Sequence, residues 1–247
     1  MPRPPEDHGS ALRRVAGQPA ATGMKQIPLA LTPPPQAGLD SLVVGANAEV
    51  VQHLRALVLP AAPLYLWGPA GSGKTHLLRA LAARRQAEGE RVGWFEAGDA
   101  LPWSLDEGWS LVVVDRCDEL DAAGQQAAFA LFVEAGSHNV QWAAAGRLPP
   151  VDLGLRDDLR SRLGWGHVFA VQPLAEDETR AALRREADRR GIFLSDEVMG
   201  YLLTRFERDL KHLMNMLDRL DGFAMAEQRA VTVPLLKKML AEEGQSP

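Results

Sequence analysis

The sequence predicts an α/β fold in which helices flank a five-stranded parallel sheet, followed by a small all-helical domain. Between residues 37 and 172, short apolar runs alternate with helical segments, as expected for parallel strands joined by helical crossovers. From residue 173 to 247 every periodic segment is helical. The 247 residues, 46% of them hydrophobic, suffice for one large domain with a smaller companion.

Composition narrows the class of protein. The net charge is −5 and the pI is about 5.7, whereas a chain that mainly grips DNA is more often basic. A single cysteine, Cys117, excludes an intramolecular disulfide and fits a reducing cytosol. No run approaches the roughly 20 apolar residues of a membrane span, and the N-terminus lacks the apolar region of a signal peptide. We therefore expect a cytoplasmic protein with no membrane role.

The first 36 residues divide into two segments. Residues 1–23 are rich in proline and glycine, which predicts a disordered extension; Met24 is an alternative start, in which case this segment is not translated. Residues 24–36 contain an apolar peptide, QIPLAL, with a proline at its third position. Three consecutive prolines follow it after one threonine. An extended conformation is favoured. Such a peptide could dock into a partner's pocket or pack as a linker on its own domain.

The next elements lead into the sheet. A helix is predicted from about Asn47, a favourable N-cap, to Leu59, before Pro60 and Pro63. The apolar run 64–67 predicts a buried strand.

Residues 68–75 read GPAGSGKT and match the phosphate-binding pattern G-x-x-x-x-G-K-T at every position. A strand precedes the loop and a helix, 76–85, follows it. Backbone N–H groups of the loop and of the helix N-terminus would face phosphates. Lys74 would reach the β- and γ-phosphates and Thr75 would ligate Mg²⁺. The predicted nucleotide site here comprises Gly68, Pro69, Ala70, Gly71, Ser72, Gly73, Lys74, Thr75 and His76.

After a second strand at 92–95, the apolar run 111–114 ends in Asp115. A carboxylate at that strand end can hold Mg²⁺ beside the phosphate loop. The next position usually bears an acid that orients the attacking water, but here it is Arg116, which cannot take a proton. Asp118 and Glu119 are expected on the outgoing loop, away from that water. Weak self-hydrolysis is therefore predicted. The alternative is that one of these two acids swings in to act as the base.

A helix at 122–135 leads to a fourth strand at 140–145. The end of this strand often carries a polar sensor of the γ-phosphate, whereas here it offers Ala145 and Gly146. Arg147 follows, and its side chain either contacts a phosphate or forms a surface salt bridge.

The segment LRDDLRSRL, residues 155–163, predicts a short helix with three arginines. A solvated charged face is the ordinary interpretation. However, Arg162 lies just ahead of the last strand, 168–171, where oligomeric ATPases point an arginine at a neighbour's nucleotide.

Four helices follow, at 177–190, 196–206, 209–224 and 235–242. The third carries an apolar stripe with i, i+3, i+4, i+7 spacing, which predicts a packed core. Lys211, near its start, either turns toward the nucleotide or is solvated.

These pieces together resemble the AAA+ ATPases of the bacterial replication-initiator (DnaA) branch, over about residues 24–242. The specific matches are QIPLAL, GPAGSGKT, VVVD, GRLPP with LGLRDDLRSRLGWGHVF, and TVPLLKKML. Within that branch the chain is similar to regulatory inactivators of the initiator. The resemblance implies an AAA+ core at 37–172, a four-helix lid at 173–247, and bound ADP or ATP with Mg²⁺ on Thr75 and Asp115.

The resemblance also implies partners and residue roles. Such a protein acts in the cytoplasm at the nucleoid and replisome, bound to the DNA-loaded sliding clamp (the β subunit of DNA polymerase III). There it makes DnaA hydrolyse its ATP, which prevents over-initiation of chromosome replication. Arg162 would be the arginine finger in trans. Lys211 would be the lid sensor, although arginine is usual there and lysine cannot bind bidentately. Adenine would contact Val43 and Val44, which could equally be core residues. The clamp-binding residues would be Gln26, Ile27, Leu29 and Leu31.

Two other functions are compatible with parts of the sequence. A stand-alone ATPase, such as a helicase loader or remodelling factor, fits the phosphate loop but not Arg116. A DNA-reading initiator needs a further module, typically a helix-turn-helix, after the lid. The last predicted helix ends five residues before Pro247, so we expect no sequence-specific DNA binding. Homo-oligomerisation stays open.

Overall fold

The structure, a computed structural model, describes residues 38–39, 42–206, 209–242 and 244. The predicted extension 1–23 and the predicted clamp-binding residues Gln26, Ile27, Leu29 and Leu31 lie outside the described residues. Within the described part, no helix is both long and apolar enough to cross a bilayer.

A five-stranded parallel sheet forms the centre of the protein, as predicted. Its strands in chain order are β1 (Leu64–Trp67), β2 (Arg91–Phe95), β3 (Trp109–Val114), β4 (Gln141–Gly146) and β5 (His167–Ala170). Their spatial order is β2-β3-β4-β1-β5, with every neighbouring pair parallel. Trp67 lies opposite Gly146, and Val114 lies opposite Ala144. The carboxyl ends of β1, β3 and β4 therefore meet at one edge, where the phosphate loop and Asp115 begin.

Both faces of the sheet are covered by helices. The helices of this part are α1 (Ala48–Ala56), α2 (Lys74–Ala87), α3 (Ala122–Ser137) and α4 (Asp157–Leu163). One core contains α1, α2 and the side chains of Leu66 and Val113, and the other contains α3, α4 and those of Tyr65 and Val112. Successive strand residues point to opposite faces, and burial on both faces explains why the central strands β1, β3 and β4 are largely apolar.

The start of α1 differs from the prediction. A 3₁₀ turn, Gly45–Asn47, precedes the helix, which ends at Ala56 rather than Leu59. Asn47 stands at the N-cap position, but its side chain makes no capping hydrogen bond. Its amide instead donates to the Gln172 carbonyl at 2.9 Å and accepts from the Gln172 N–H at 2.8 Å. Asn47 therefore fastens the chain before α1 to the segment after β5.

Four helices follow the sheet and share their own core. They are α5 (Glu176–Arg189), α6 (Asp196–Arg205), α7 (Leu210–Glu227) and α8 (Val233–Glu242). The predicted stripe on α7 is buried at Leu213, Leu217 and Leu220, with Met216 also inside. Ser195 caps α6 as predicted, since its hydroxyl accepts the Val198 N–H at 3.3 Å.

Candidate nucleotide-binding site

The loop between β1 and α2 is shaped by its glycines. Gly68 and Gly71 have φ angles of 154° and 74°, which side chains disfavour. A Cβ at Gly68 would lie 2.2 Å from the Val171 carbonyl oxygen, so only glycine fits. The loop thus turns tightly into α2, whose first N–H groups have no partner within the helix and can bind an anion.

Lys74 is the first residue of α2 and bends back over the loop. Its Nζ donates to the carbonyl oxygens of Gly68 at 2.7 Å and Pro69 at 2.8 Å. Burial lowers the pKa of Lys74, while the nearby carboxylates of Asp118 and Asp115 act in the opposite direction. The same Nζ lies 3.5 Å from the Ser72 hydroxyl oxygen. An ammonium held here by uncharged oxygens is well suited to a phosphate.

Thr75 and Asp115 lie together, as their predicted roles require. The Thr75 hydroxyl donates to Asp115 Oδ2 at 2.7 Å. Asp115 follows β3 directly, is only 1% exposed, and accepts the Arg116 N–H on Oδ1 at 3.0 Å. A hydroxyl and a carboxylate in contact beside a phosphate loop fit Mg²⁺ held with a nucleotide.

Arg116, at the position of the absent base, is engaged in two ion pairs. Its guanidinium donates to Glu96 at 2.5 Å and to Glu119 at 3.3 Å. The hydrogen bond to Glu96 is the main cause of its raised pKa, so the side chain stays a cation.

Asp118 lies closer to the site than the sequence suggests. Its side chain is 14% exposed and its Oδ2 accepts from Arg147 Nε at 2.6 Å. Arg147 also meets Glu119 at 3.3 Å, so of its two interpretations the structure shows the salt bridge. Glu119 thereby joins both arginines. The carboxylate of Asp118 opposes the lowering of the pKa of Lys74 by burial, but it is paired with Arg147.

Gly146 explains why this strand end lacks a polar sensor. A Cβ at this position would lie 2.3 Å from the Tyr65 hydroxyl. Tyr65 is fully buried, and that hydroxyl donates to the Leu148 carbonyl at 2.8 Å. The tyrosine occupies the space that a sensor side chain needs.

Gly146→Asn is therefore expected to destabilise the protein without increasing its own ATP hydrolysis. Overpacking a buried site typically costs about 1–3 kcal/mol, which would lower the urea midpoint of unfolding. Gly146→Asn combined with Tyr65→Phe should recover part of this loss. A Gly146→Asn protein of unchanged stability would show that the tyrosine does not block this position.

The lid brings a carboxylate to the phosphate loop that the sequence did not reveal. Asp209 is the N-cap of α7, and its Oδ1 accepts the Lys211 N–H at 3.0 Å. A Cβ at Gly71 would lie 3.2 Å from the Asp209 Cβ, Cγ and Oδ1 atoms. The side chain of Lys211 is exposed, and its predicted phosphate contact stays a prediction. The sequence shows that an aspartate starts this helix, but it does not show that Asp209 lies beside Gly71.

The predicted adenine contacts lie before α1. Val43 and Val44 are half-buried, and Val44 packs against the core that contains α1 and α2. A Cβ at the adjacent Gly45 would meet Leu174 and Glu178, each at 2.9 Å, so this segment lies against the start of the lid. On α2, burial and then Arg79 lower the pKa of His76, which keeps it neutral at neutral pH.

The three arginines around α4 are in different settings. Arg156 pairs with Asp158 and Arg160 pairs with Asp157, each at 2.7 Å. Arg162 has no carboxylate partner in the part of the chain that the structure describes. Instead, its Cζ lies 3.6 Å from the centroid of the Trp165 ring.

The lid is similar to a known protein family, and the whole fold is similar to solved structures. Residues 176–240 match the family model described as "Hda, lid domain". The lid is therefore similar to the lid domain of Hda. Together with the AAA+ core that precedes it, the chain is consistent with Hda, and the Hda-type lid covers all of α5, α6 and α7 and most of α8.

Solved structures show the same fold over most of the chain. Domain III of the replication initiation protein DnaA from Thermotoga maritima matches with a TM-score of 0.69 and 19% identity, over 85% of this chain and 98% of that one. AMPPCP-bound DnaA from Aquifex aeolicus matches with a TM-score of 0.60 and 21% identity, over 79% and 69%. The RuvB Holliday junction branch migration motor from T. maritima matches with 0.56 and 16%, over 83% and 68%. The fold is therefore AAA+.

Proposed function

We propose that this protein is a regulator of replication initiation that, bound to the DNA-loaded sliding clamp, stimulates ATP hydrolysis by DnaA and so prevents over-initiation. The Hda lid and the DnaA-like AAA+ fold support a DnaA-related regulator. One observation carries the finer proposal. Of Arg156, Arg160 and Arg162, the last has no carboxylate partner among the residues that the structure describes, while the protein's own site has Arg116 in place of a base and Gly146 in place of a sensor.

The phosphate loop holds ADP or ATP in this proposal. Lys74 and the N-terminus of α2 bind the phosphates, and Thr75 with Asp115 holds Mg²⁺, which neutralises phosphate charge. AMPPCP is bound in DnaA structures of the same fold. Val43 and Val44 contact the base, and the lid closes over the nucleotide from the side of Asp209 and Lys211.

The nucleotide site and Arg162 have different tasks in this account. The guanidinium of Arg162 enters the nucleotide site of a neighbouring DnaA and stabilises charge that develops on the γ-phosphate, as arginine fingers do. The protein's own nucleotide holds the conformation that presents Arg162.

A stand-alone ATPase is the second candidate, and Asp118 is the observation that favours it. A Cβ at Gly146, where β4 ends, would lie 3.3 Å from Asp118 Oδ1, and this carboxylate would be available as a base if it left Arg147. The 2.6 Å ion pair with Arg147 and the side chain of Tyr65 at the sensor position oppose this. Substantial ATP turnover by the purified protein alone would favour this second candidate.

Clamp binding is assigned to QIPLAL, within a proposed tether at 24–36 that precedes the core at 37–172 and the lid at 173–247. The partners are thus DnaA and the β clamp, which places the protein on replicating DNA in the bacterial cytoplasm. A second copy of the chain is a further possible partner, because Arg162 could meet its nucleotide as well.

The clamp assignment is tested by a pull-down on DNA-loaded sliding clamp. Gln26→Ala combined with Leu29→Ala should lose clamp binding and, with it, the stimulation of DnaA. The matched control replaces the same residue types in the preceding segment, Gln18→Ala with Leu12→Ala, and should bind as the wild type does. Normal clamp binding by the first variant would refute the peptide assignment.

A further inference from the structure

The contact between Arg162 and Trp165 is built into the turn that ends α4. The Gly164 N–H donates to the Ser161 carbonyl and the Trp165 N–H to the Arg162 carbonyl, both at 3.2 Å. These bonds close the last turn and fix the indole beside the arginine one turn back.

This turn is anchored to the sheet. The His167 N–H donates to the Pro63 carbonyl at 2.7 Å. A Cβ at Gly166 would lie 1.8 Å from that same carbonyl oxygen, so the chain passes too close for any residue except glycine. Trp165 is nevertheless 63% exposed. A large apolar side chain held by an anchored turn yet left largely in water is not explained by the core.

We propose that Trp165 is a positioning residue for Arg162, an inference that rests on the proposed finger role. A guanidinium stacked on an indole is attracted by the ring quadrupole, and the ring covers one flat face. Its N–H donors lie in the guanidinium plane and stay available to phosphate oxygens. The stack orders a long side chain before the partner arrives, which reduces the entropic cost of binding.

Trp165 also has a second role, which concerns Asp158. It lies four residues before Arg162 on the same helix, the spacing at which an acid and an arginine pair. At present Asp158 accepts from Arg156 at 2.7 Å. Without the indole, Arg162 can turn back to Asp158, which would occupy the donors that the partner's nucleotide needs. Trp165 keeps the arginine out of that pair.

Trp165→Ala is expected to lower the maximal stimulation of DnaA ATP hydrolysis about three- to tenfold, the equivalent of a partly desolvated cation–π contact. The concentration that gives half-maximal stimulation should change less, because the stack acts on the orientation of Arg162. Trp165→Phe should retain most of the stimulation, whereas Trp165→Leu, apolar but without a π face, should resemble Trp165→Ala. Adding Asp158→Ala to Trp165→Ala should recover part of the loss.

The outcomes separate this inference from the function on which it rests. If Arg162→Ala stimulates as well as the wild type, the finger role itself is wrong. If Arg162→Ala fails while Trp165→Ala or Trp165→Leu stimulates normally, only the positioning role is wrong. If Trp165→Leu stimulates as well as the wild type while Trp165→Ala is impaired, any apolar side chain of this size suffices. That result would overturn the proposal, because the π face of the indole would not be needed. Unchanged thermal unfolding and nucleotide binding of each variant show that the fold is retained.

Discussion

Replacing Arg162 with alanine is expected to lower DnaA ATP hydrolysis in the presence of clamp-loaded DNA by roughly 10³-fold or more, to the unstimulated rate. The loss is this large because a finger stabilises charge that exists only in the transition state. The measurement is ATP turnover on DnaA at saturating concentrations of the variant. Arg162→Lys should recover little, since an ammonium lacks the planar fork of donors.

The neighbouring arginines provide matched controls. Arg156→Ala and Arg160→Ala remove the same charge from the same surface, but both side chains are exposed and already paired with aspartates. Exposed pairs contribute little, so both variants should stimulate within about twofold of the wild type. An Arg160→Ala protein as defective as Arg162→Ala would indicate that general surface charge, and not a finger, is responsible.

Lys74→Ala is expected to weaken the binding of both ADP and ATP about 100-fold or more. The variant loses charge-assisted hydrogen bonds to phosphate, each contributing roughly 1.5–3 kcal/mol. Nucleotide should raise the melting temperature of the wild type, since a ligand that binds only the folded state stabilises it. The same nucleotide concentration should leave the melting temperature of Lys74→Ala unchanged. Isothermal titration gives the affinity directly.

Lys237 is the matched control for Lys74. It is exposed on α8, where its Nζ lies 5.5 Å from the centroid of the Tyr201 ring. Lys237→Ala should bind nucleotide as the wild type does. If Lys74→Ala also bound normally, the loop would not be the phosphate site. If Lys74→Ala lost nucleotide but still stimulated DnaA fully, the nucleotide would not be needed to present Arg162.

The fold could be predicted closely because its signals are local. All five strands are short apolar runs, and their observed ends differ from the predicted ones by only one or two residues. The lid helices follow from 3.6-residue periodicity and an explicit cap at Ser195. Asn47 shows the limit of such reasoning. Its residue type favours a helix cap, but the competing backbone partner at Gln172 is 125 residues away and leaves no local signal.

Some parts of the candidate site could likewise be predicted from the sequence, and others could not. The phosphate loop and Asp115 form a pattern with fixed spacing, so their proximity could be predicted. The reasons for an absent sensor could not, because Gly146 is constrained by Tyr65 from a different strand. The position of Asp209 at the phosphate loop also depends on tertiary neighbours, as does the lack of a carboxylate partner for Arg162 among the described residues. The stacking of Arg162 on Trp165, three residues later, likewise becomes visible only in the structure.

The central claim is that the protein keeps its own nucleotide intact and acts on the nucleotide of DnaA. The most direct test loads radiolabelled ATP on one protein and unlabelled ATP on the other, mixes them with clamp-loaded DNA, and follows a single turnover. We expect rapid release of labelled phosphate when DnaA carries the label, and almost none when this protein carries it. Rapid hydrolysis of the label on this protein, with the label on DnaA unchanged, would contradict the account.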